Sequence, residues 1–528
     1  MLTIFTFFTV FTSFLLLAAC GPQEIAATAL VILPAETHTP TSTRVPPTLT
    51  QTPIPMKPTP TFAQTPTIIP SPTIPPGYRP YETQSGDTLA VLVARFGVAS
   101  DEILCSNLAK NCLNEGILME SELLPTGTGL LIPDRVSDAE GVVISPDNRI
   151  LPDSEFVFSS KGLGLDIAAY LNKTEGYLKT HQQYLMVNGW NSGAEVVQLV
   201  AVENTVNPRL LLALLEYQCA CVLGNPGTLE QIEPFLKATS VQYLRKDLWG
   251  QLNWAVRRLW MGYSGWRAGT LMEFALKDGT IVRPAPGLNA GTVAVQYFFA
   301  YLYDADGWAQ ALDLETGFPA LFETMFGDPW IREVEIFPPD TAQPNFILPF
   351  EAGTTWSYTG GPHPSFDGNG PLASLDFAPA LAEAGCWQTD SWVLAVADGV
   401  VVRIDPGLVM LDLDGDGYIA DGLEQTGWNV MYLHIEARDR VRLGDVLKAG
   451  DRIGHPSCEG GVASGTHVHI ARKFNGEWIA ADGPLAFNLS GWVAHNGDKP
   501  YLGTLVRGDE TIFACTCSWE KGWIVIDE

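Results

Sequence analysis

Three observations predict a multidomain α+β protein. At 528 residues the chain is long enough for about three or four domains. Residues 154–340 carry Leu, Ala, Trp and Tyr at helical spacing, whereas from Phe346 onward short apolar runs are broken by Gly and Asp, as in antiparallel strands. Residues 36–77 are rich in Pro and Thr and hold too little apolar surface to bury a core.

The chain opens with an apolar run, MLTIFTFFTVFTSFLLLAAC, which reads as an export segment spanning residues 1–20. Its end, Leu17-Ala18-Ala19-Cys20, resembles the bacterial lipobox, which implies lipidation of Cys20 and a mature chain anchored to the cell membrane, facing the cell wall. No Lys or Arg precedes the run, so an uncleaved anchor is the alternative. Residues 21–77 are then a disordered stalk, extended at ~3.1 Å per residue. Beyond Cys20 there are eight cysteines, which in an exported chain are expected as disulfides. They group as Cys105 with Cys112, Cys219 with Cys221, Cys386 with Cys458, and Cys515 with Cys517, and neither Cys-x-Cys pair is expected to close on itself. A formal net charge of -28 argues against nucleic acid and against electrostatic docking on an anionic surface.

Residues 78–134 read as strand, helix, helix, strand. Thr88 or Asp87 caps a helix whose Leu89, Leu92, Val93 and Phe96 recur at helical spacing, and Gly129-Leu-Leu-Ile-Pro133 is a short strand. With its Gly86-Asp-Thr-Leu89 opening and Leu-x-Ile-Pro-like close, the segment resembles a LysM module, which implies binding of N-acetylglucosamine-containing glycan.

The 154–340 region reads as mostly helical, with Asn207 capping and Pro208 opening one helix. The string Val206-Asn-Pro-Arg-Leu-Leu-Leu-Ala-Leu-Leu-Glu-Tyr-Gln218 distantly resembles the acid-bearing helix of lysozyme-like folds, but the acid position falls on Gln218, with Glu216 and Glu203 as stand-ins. Glycoside cleavage needs a positioned carboxylic acid, so a binding or scaffold domain is expected. The aromatic run 254–266 is either a sugar platform or core.

Residues 341–528 carry the chemistry. Residues 392–404 read as two strands about a tight Asp398-Gly399 turn, and further strands are expected at 429–435, 446–454 and 466–471. Five of the eight histidines lie between residues 363 and 469. In Gly465-Thr-His-Val-His-Ile470, His467 and His469 are two apart and project from one strand face. Upstream stand Gly360-Gly-Pro-His363, Ser374-Leu-Asp-Phe-Ala-Pro379 and Tyr432-Leu-His434.

This set, in this order, resembles the lysostaphin or LytM-type zinc endopeptidases of peptidoglycan. The resemblance implies His363, Asp376 and His469 as ligands of one Zn2+, and His434 and His467 as catalytic histidines, with His467 the base and His434 the stabiliser or the reverse. Asp367 stands at the family's usual His-x-x-x-Asp spacing and is the rival ligand. Three N/O ligands leave a fourth position open, as catalytic zinc sites do. The insertion at Asp412, Asp414 and Asp416 has the start of a Ca2+ loop, with a polar hairpin tip as the alternative. The expected function is a zinc endopeptidase cutting wall peptide; the alternative is a non-catalytic wall-binding regulator of another hydrolase.

Overall fold

A computed structural model of the chain describes residues 74–528 apart from 107–109, 112–121, 137–140, 187, 225–234, 237–246, 367, 381–384, 414–422, 516–521 and 526–528. The export segment, Cys20 and most of the stalk lie outside the described residues, as do Asp367, Asp414 and Asp416. Among the described residues no helix is long and apolar enough to cross a membrane.

Strands β1 (Tyr78–Glu82), β2 (Leu104–Cys105), β3 (Lys110–Asn111) and β4 (Gly129–Pro133) form a sheet in the order β1-β4-β2-β3. Helix α1 (Leu89–Phe96) is capped by Thr88, whose Oγ1 accepts from Val91 N at 3.2 Å, and buries Leu89, Leu92 and Phe96 against Leu130 and Ile132. Between α1 and β4 the described residues hold a 3₁₀ turn, Ser100–Glu102; residues 107–109 and 112–121 of the stretch in which a second helix is expected lie outside them. Asp87 accepts from Tyr81 Oη (2.6 Å) and pairs with Arg95 (2.9 Å) inside the module. The loop before α1 is turned inward: Gln84 Nε2 donates to Gly287 O and Phe337 N to Ser85 Oγ.

The helical region is built on α2 (Gly193–Asn204), α3 (Pro208–Cys219), α4 (Leu248–Arg267), α5 (Ala290–Ala300) and α6 (Phe318–Phe326). Ser192 and Glu195 form a capping box on α2, and Asn207 caps α3 with Pro208 in its first turn. The aromatic run on α4 is core, with Trp260, Tyr263 and Trp266 each 1% exposed. Gly262 lets α5 approach closely; a Cβ there would lie 2.9 Å from Ala294 Cα. One cysteine expectation is overturned, because Cys219 and Cys221 are bonded to each other. Ala220 caps α3 in the left-handed conformation, which folds the two Cα atoms to 5.2 Å, within disulfide reach. Cys386 is bonded to Cys458, and Cys105 and Cys515 are also disulfide-bonded.

The C-terminal region is a nine-stranded antiparallel sheet. Its strands are β7 (Thr355–Phe366), β8 (Asn369–Pro379), β9 (Gly399–Asp405), β10 (Leu408–Asp412), β11 (Trp428–Leu433), β12 (Val446–Leu447), β13 (Val468–Phe474), β14 (Glu477–Trp478) and β15 (Trp523–Val525); β5 (Gln182–Leu185) and β6 (Gly189–Ser192) form a separate hairpin. The order is β12-β9-β10-β11-β13-β8-β7-β15, with β14 beside β13. Asp398-Gly399 is not a hairpin turn as expected. Val393–Leu394 pairs with Arg452–Gly454, in another sheet, while β9 pairs with β10 and β12. The Asp398 carboxylate instead accepts from Ala449 N and Lys448 Nζ. Residues 488–513 add a small four-stranded sheet.

Alternation along the strands gives the sheet two apolar faces. Val409, Leu411, Val430, Tyr432, Val468 and Ile470 pack with the C-terminal core, whereas Leu408, Met410, Met431, Leu433 and Ala471 join the core of the helices. Polar contacts seal the second junction. Arg267 on α4 pairs with Asp153 (2.9 Å) and Glu477 (3.0 Å) and donates to Tyr263 Oη (2.7 Å) and to Ser85 O. Losing one partner of such a group leaves buried charge uncompensated, so Arg267→Met is expected to lower stability by about 3 kcal/mol, measurable by denaturant unfolding.

Beyond the acidic insertion, Glu424 pairs with Arg403 and Lys473 Nζ (2.6 Å), which commits its carboxylate; Asp412 is buried at the end of β10. Burial pushes the Glu424 pKa up, but Lys473 and Arg403 outweigh it and hold it at about 2. This stabilisation is full above the ordinary value of 4.5 and is lost as pH falls through about 2. Glu424→Gln should therefore flatten the fall in unfolding midpoint across that window; an unchanged slope would contradict the pairing.

Candidate metal centre

The insertion between His363 and Asp376 is a long hairpin. Strands β7 and β8 turn back on each other and return Asp376 opposite Gly360, with irregular register around His363. Gly360 makes room for this: a Cβ there would run into the Asp376 carboxylate. On the other side of β8, Asp376 lies directly opposite His469 of β13, and His469 lies opposite Leu433 of β11. Three strands thus bring His363, Asp376 and His469 together, and all three side chains are buried.

His363 Nε2 lies 2.9 Å from His469 Nδ1 and 3.2 Å from Asp376 Oδ1, and His469 Nδ1 lies 3.1 Å from the same oxygen. The other ring nitrogens fix the tautomers. His363 Nδ1 faces Gly361 O at 2.8 Å and His469 Nε2 faces Ser365 O at 3.0 Å. A carbonyl only accepts, so those nitrogens carry the protons, and in each neutral ring the converging one is a bare lone pair. Two lone pairs and a carboxylate at this separation repel one another unless a cation lies among them. The separations are near the roughly 3.3 Å edge of a tetrahedron with ~2.0 Å metal–ligand bonds. The donor set therefore fits a metal ion, with neutral imidazoles oriented by backbone carbonyls.

His434 and His467 stand beside this trio. His467 Nδ1 donates to Gly465 O (2.7 Å) and its Nε2 lies 3.7 Å from Asp376 Oδ1. His434 follows β11 in the left-handed region, with φ of 64°. That strained turn is held by Ser457 N donating to His434 O at 2.7 Å, and it puts the ring 4.5 Å from that of His467. His434 Nδ1 donates to Glu459 O at 3.0 Å. Both rings present a bare Nε2. The Cys386–Cys458 bond braces this wall, where Thr466 N donates to Gly385 O and His467 N to Ser457 O.

Burial opposes charge throughout the cluster. It pulls the His469 pKa down, and with the neighbouring His467 and His469 it lowers His434 to about 3. It also works against charge on Asp376 and His363, but with a proton as the only cation between them their attraction wins, holding the carboxyl well below its usual range and raising the imidazole; a metal ion would take that proton's place.

Tyr501 escaped the sequence reading. Its ring stacks on His363 at 4.2 Å, and Gly361 N donates to Tyr501 O at 2.9 Å. It comes from the small C-terminal sheet region, and no local pattern marks it. The other two histidines of the C-terminal region serve elsewhere: His455 is buried against Trp392 and His495 is half-buried beside Asp482. In the helical region Gln218 donates to Tyr303 Oη, and Glu216 accepts from Val222 N and Leu223 N, which spends that carboxylate on the backbone.

A family model described as "LasA, N-terminal domain" matches residues 149–340. The beta-lytic metalloendopeptidase of Achromobacter lyticus is 28% identical over 162 residues, 28% of this chain and 38% of that protein, so the chain spans well under half of this relative. Protease LasA of Pseudomonas aeruginosa is 22% identical over 369 residues, covering 64% of this chain and 78% of that protein. Among solved structures, the deep-sea M23 metalloprotease pseudoalterin matches 33% of this chain and 96% of its own, at 24% identity and a TM-score of 0.28. The lysostaphin catalytic domain of Staphylococcus simulans matches 25% and 95%, at 22% identity and a TM-score of 0.17. The chain is thus similar in sequence to proteins named as metallopeptidases.

The geometry predicts one tightly held divalent ion per chain. His469→Ala and Asp376→Asn should each lower metal affinity by well over the 10–100-fold typical of supporting residues, read by metal analysis after dialysis. Asp367→Asn should leave it intact.

Proposed function

We propose that this chain is a zinc-dependent endopeptidase acting on the peptide of bacterial peptidoglycan, outside the cytoplasm. The observation that carries the reading is the convergence of bare His363 Nε2, His469 Nδ1 and Asp376 Oδ1, with two further bare imidazole nitrogens beside them. Similarity to proteins named metalloendopeptidases supports the peptidase class, and the wall substrate rests on the motif order from Gly360 to Ile470. Residues His363, Asp376 and His469 would hold the ion, which when bound polarises a carbonyl and brings the pKa of water towards ~7.

The chain's own residues do the rest. His467, the more exposed of the pair, has Nδ1 fixed on Gly465 O and so offers Nε2 to take a proton from the attacking water. Protonated, the same ring returns that proton to the leaving amine. His434 is the partner that stabilises developing negative charge; because both rings present Nε2, the two roles are open to exchange. Tyr501 holds the His363 ring from the solvent side by stacking. Cys20 as lipid anchor, the 78–134 module as a glycan binder and Ca2+ at Asp412 belong to the proposal, not to its foundation.

Mass spectrometry of fragments released from purified peptidoglycan tests it. The wild type should generate new amine termini, and His467→Ala should slow release by about 10²–10⁴-fold while retaining the metal. Metal bound with no new termini would leave a non-catalytic wall-binding protein instead.

A further inference from the structure

We infer that the β5–β6 hairpin is a carbohydrate-docking platform, separate from the metal centre and from the 78–134 module. Tyr184 and Trp190 are directly opposite across the hairpin, 59% and 71% exposed, with ring centroids 5.7 Å apart at 73°. Met186, 92% exposed, follows β5 directly, and Gln182 pairs with Ser192 at the base of the hairpin. Water-facing aromatic rings of this size cost free energy unless something covers them.

The base of the hairpin is fixed. Gln183 Oε1 accepts from Trp249 N of α4 (3.2 Å), Gly193 N donates to His181 O (3.0 Å), and the His181 ring meets Phe235 at 5.2 Å. Ser192, the last residue of β6, is also the capping residue of α2. The rings are therefore presented on a rigid mount at low conformational cost.

Charge selects the occupant. Residues 180–194 contain no Asp, Glu, Lys or Arg, in a chain whose net charge is -28. A surface built for an anionic bilayer carries Lys or Arg beside its apolar residues; the hairpin segment itself supplies none, and the net charge of the chain is of the sign that such a bilayer repels. A neutral polymer with apolar faces and hydroxyl or amide edges matches better. The C–H face of a pyranose packs on an aromatic ring, while Gln182 and Asn188, both exposed, supply hydrogen bonds at the rim. We assign the occupant as a neutral N-acetylhexosamine glycan strand; the choice of this sugar rests on the wall reading above, and the platform itself does not.

The test uses the full chain carrying His469→Ala, so that binding is read without digestion, and a soluble N-acetylglucosamine hexamer as probe. Amide exchange across 182–192 should slow on adding the hexamer. Tyr184→Ala with Trp190→Ala should weaken binding at the hairpin about tenfold, and Trp190→Phe should restore most of it; both positions are exposed, so folding is not at stake. No slowing in this segment, or equal affinity in the double variant, would overturn the proposal. Aromatic-dependent binding to phosphatidylethanolamine–phosphatidylglycerol vesicles but not to the hexamer would also overturn it. Peptide release from peptidoglycan by the otherwise native chain reads the peptidase proposal independently of either result.

Discussion

Asp376 faces His469 across β8 and β13, and this pairing sets the site. Side chains alternate between faces, so a slip of one residue would send His469 into the apolar core and bring Val468 or Ile470 out in its place. The register is held because both sheet faces are buried: Val468 and Ile470 in the C-terminal core, Ala471 in the core of the helices. Packing on both sides thus specifies the chemistry. Backbone carbonyls at Gly361, Ser365, Gly465 and Glu459 then set the proton on each histidine, so four rings arrive with the inward nitrogen bare. Ring orientation and tautomer are thus set by the main chain.

The face that carries His469 is apolar along the rest of its length, at Leu433, Met431 and Ala471. It is covered by helices, with Arg267, Asp153, Glu477 and Tyr263 as a buried polar seam. A lone ion pair in such a place gains little against its desolvation. Here one guanidinium meets two carboxylates, a hydroxyl and a carbonyl from segments far apart in sequence, so it specifies how they meet.

Much of the site was legible because its residues sit in short strand motifs. His467-x-His469 has strand periodicity, and Asp376 is marked by its apolar flanks. The caps Thr88 and Asn207 were also legible, since capping is local chemistry. Legibility failed where distance in sequence decides. Asp398-Gly399 has the composition of a hairpin turn, yet its carboxylate is used by residues 448 and 449 and its flanking strands part company. Cys219 and Cys221 looked too close to bond, because nothing in the sequence announces the left-handed Ala220 between them. Tyr501 reaches His363 from 138 positions away (501 less 363) on a region with no pattern of its own.

The shared core has a consequence for the hairpin at residues 182–192. Among the described residues, helices and sheet are joined through one continuous apolar cluster. An exposed pair of rings mounted on the helices therefore keeps a constant bearing on the histidines. A polymer gripped at one point would meet the metal centre at a set offset along its length, and the protein would act on it as a ruler does, choosing where along the strand it works as well as which bond.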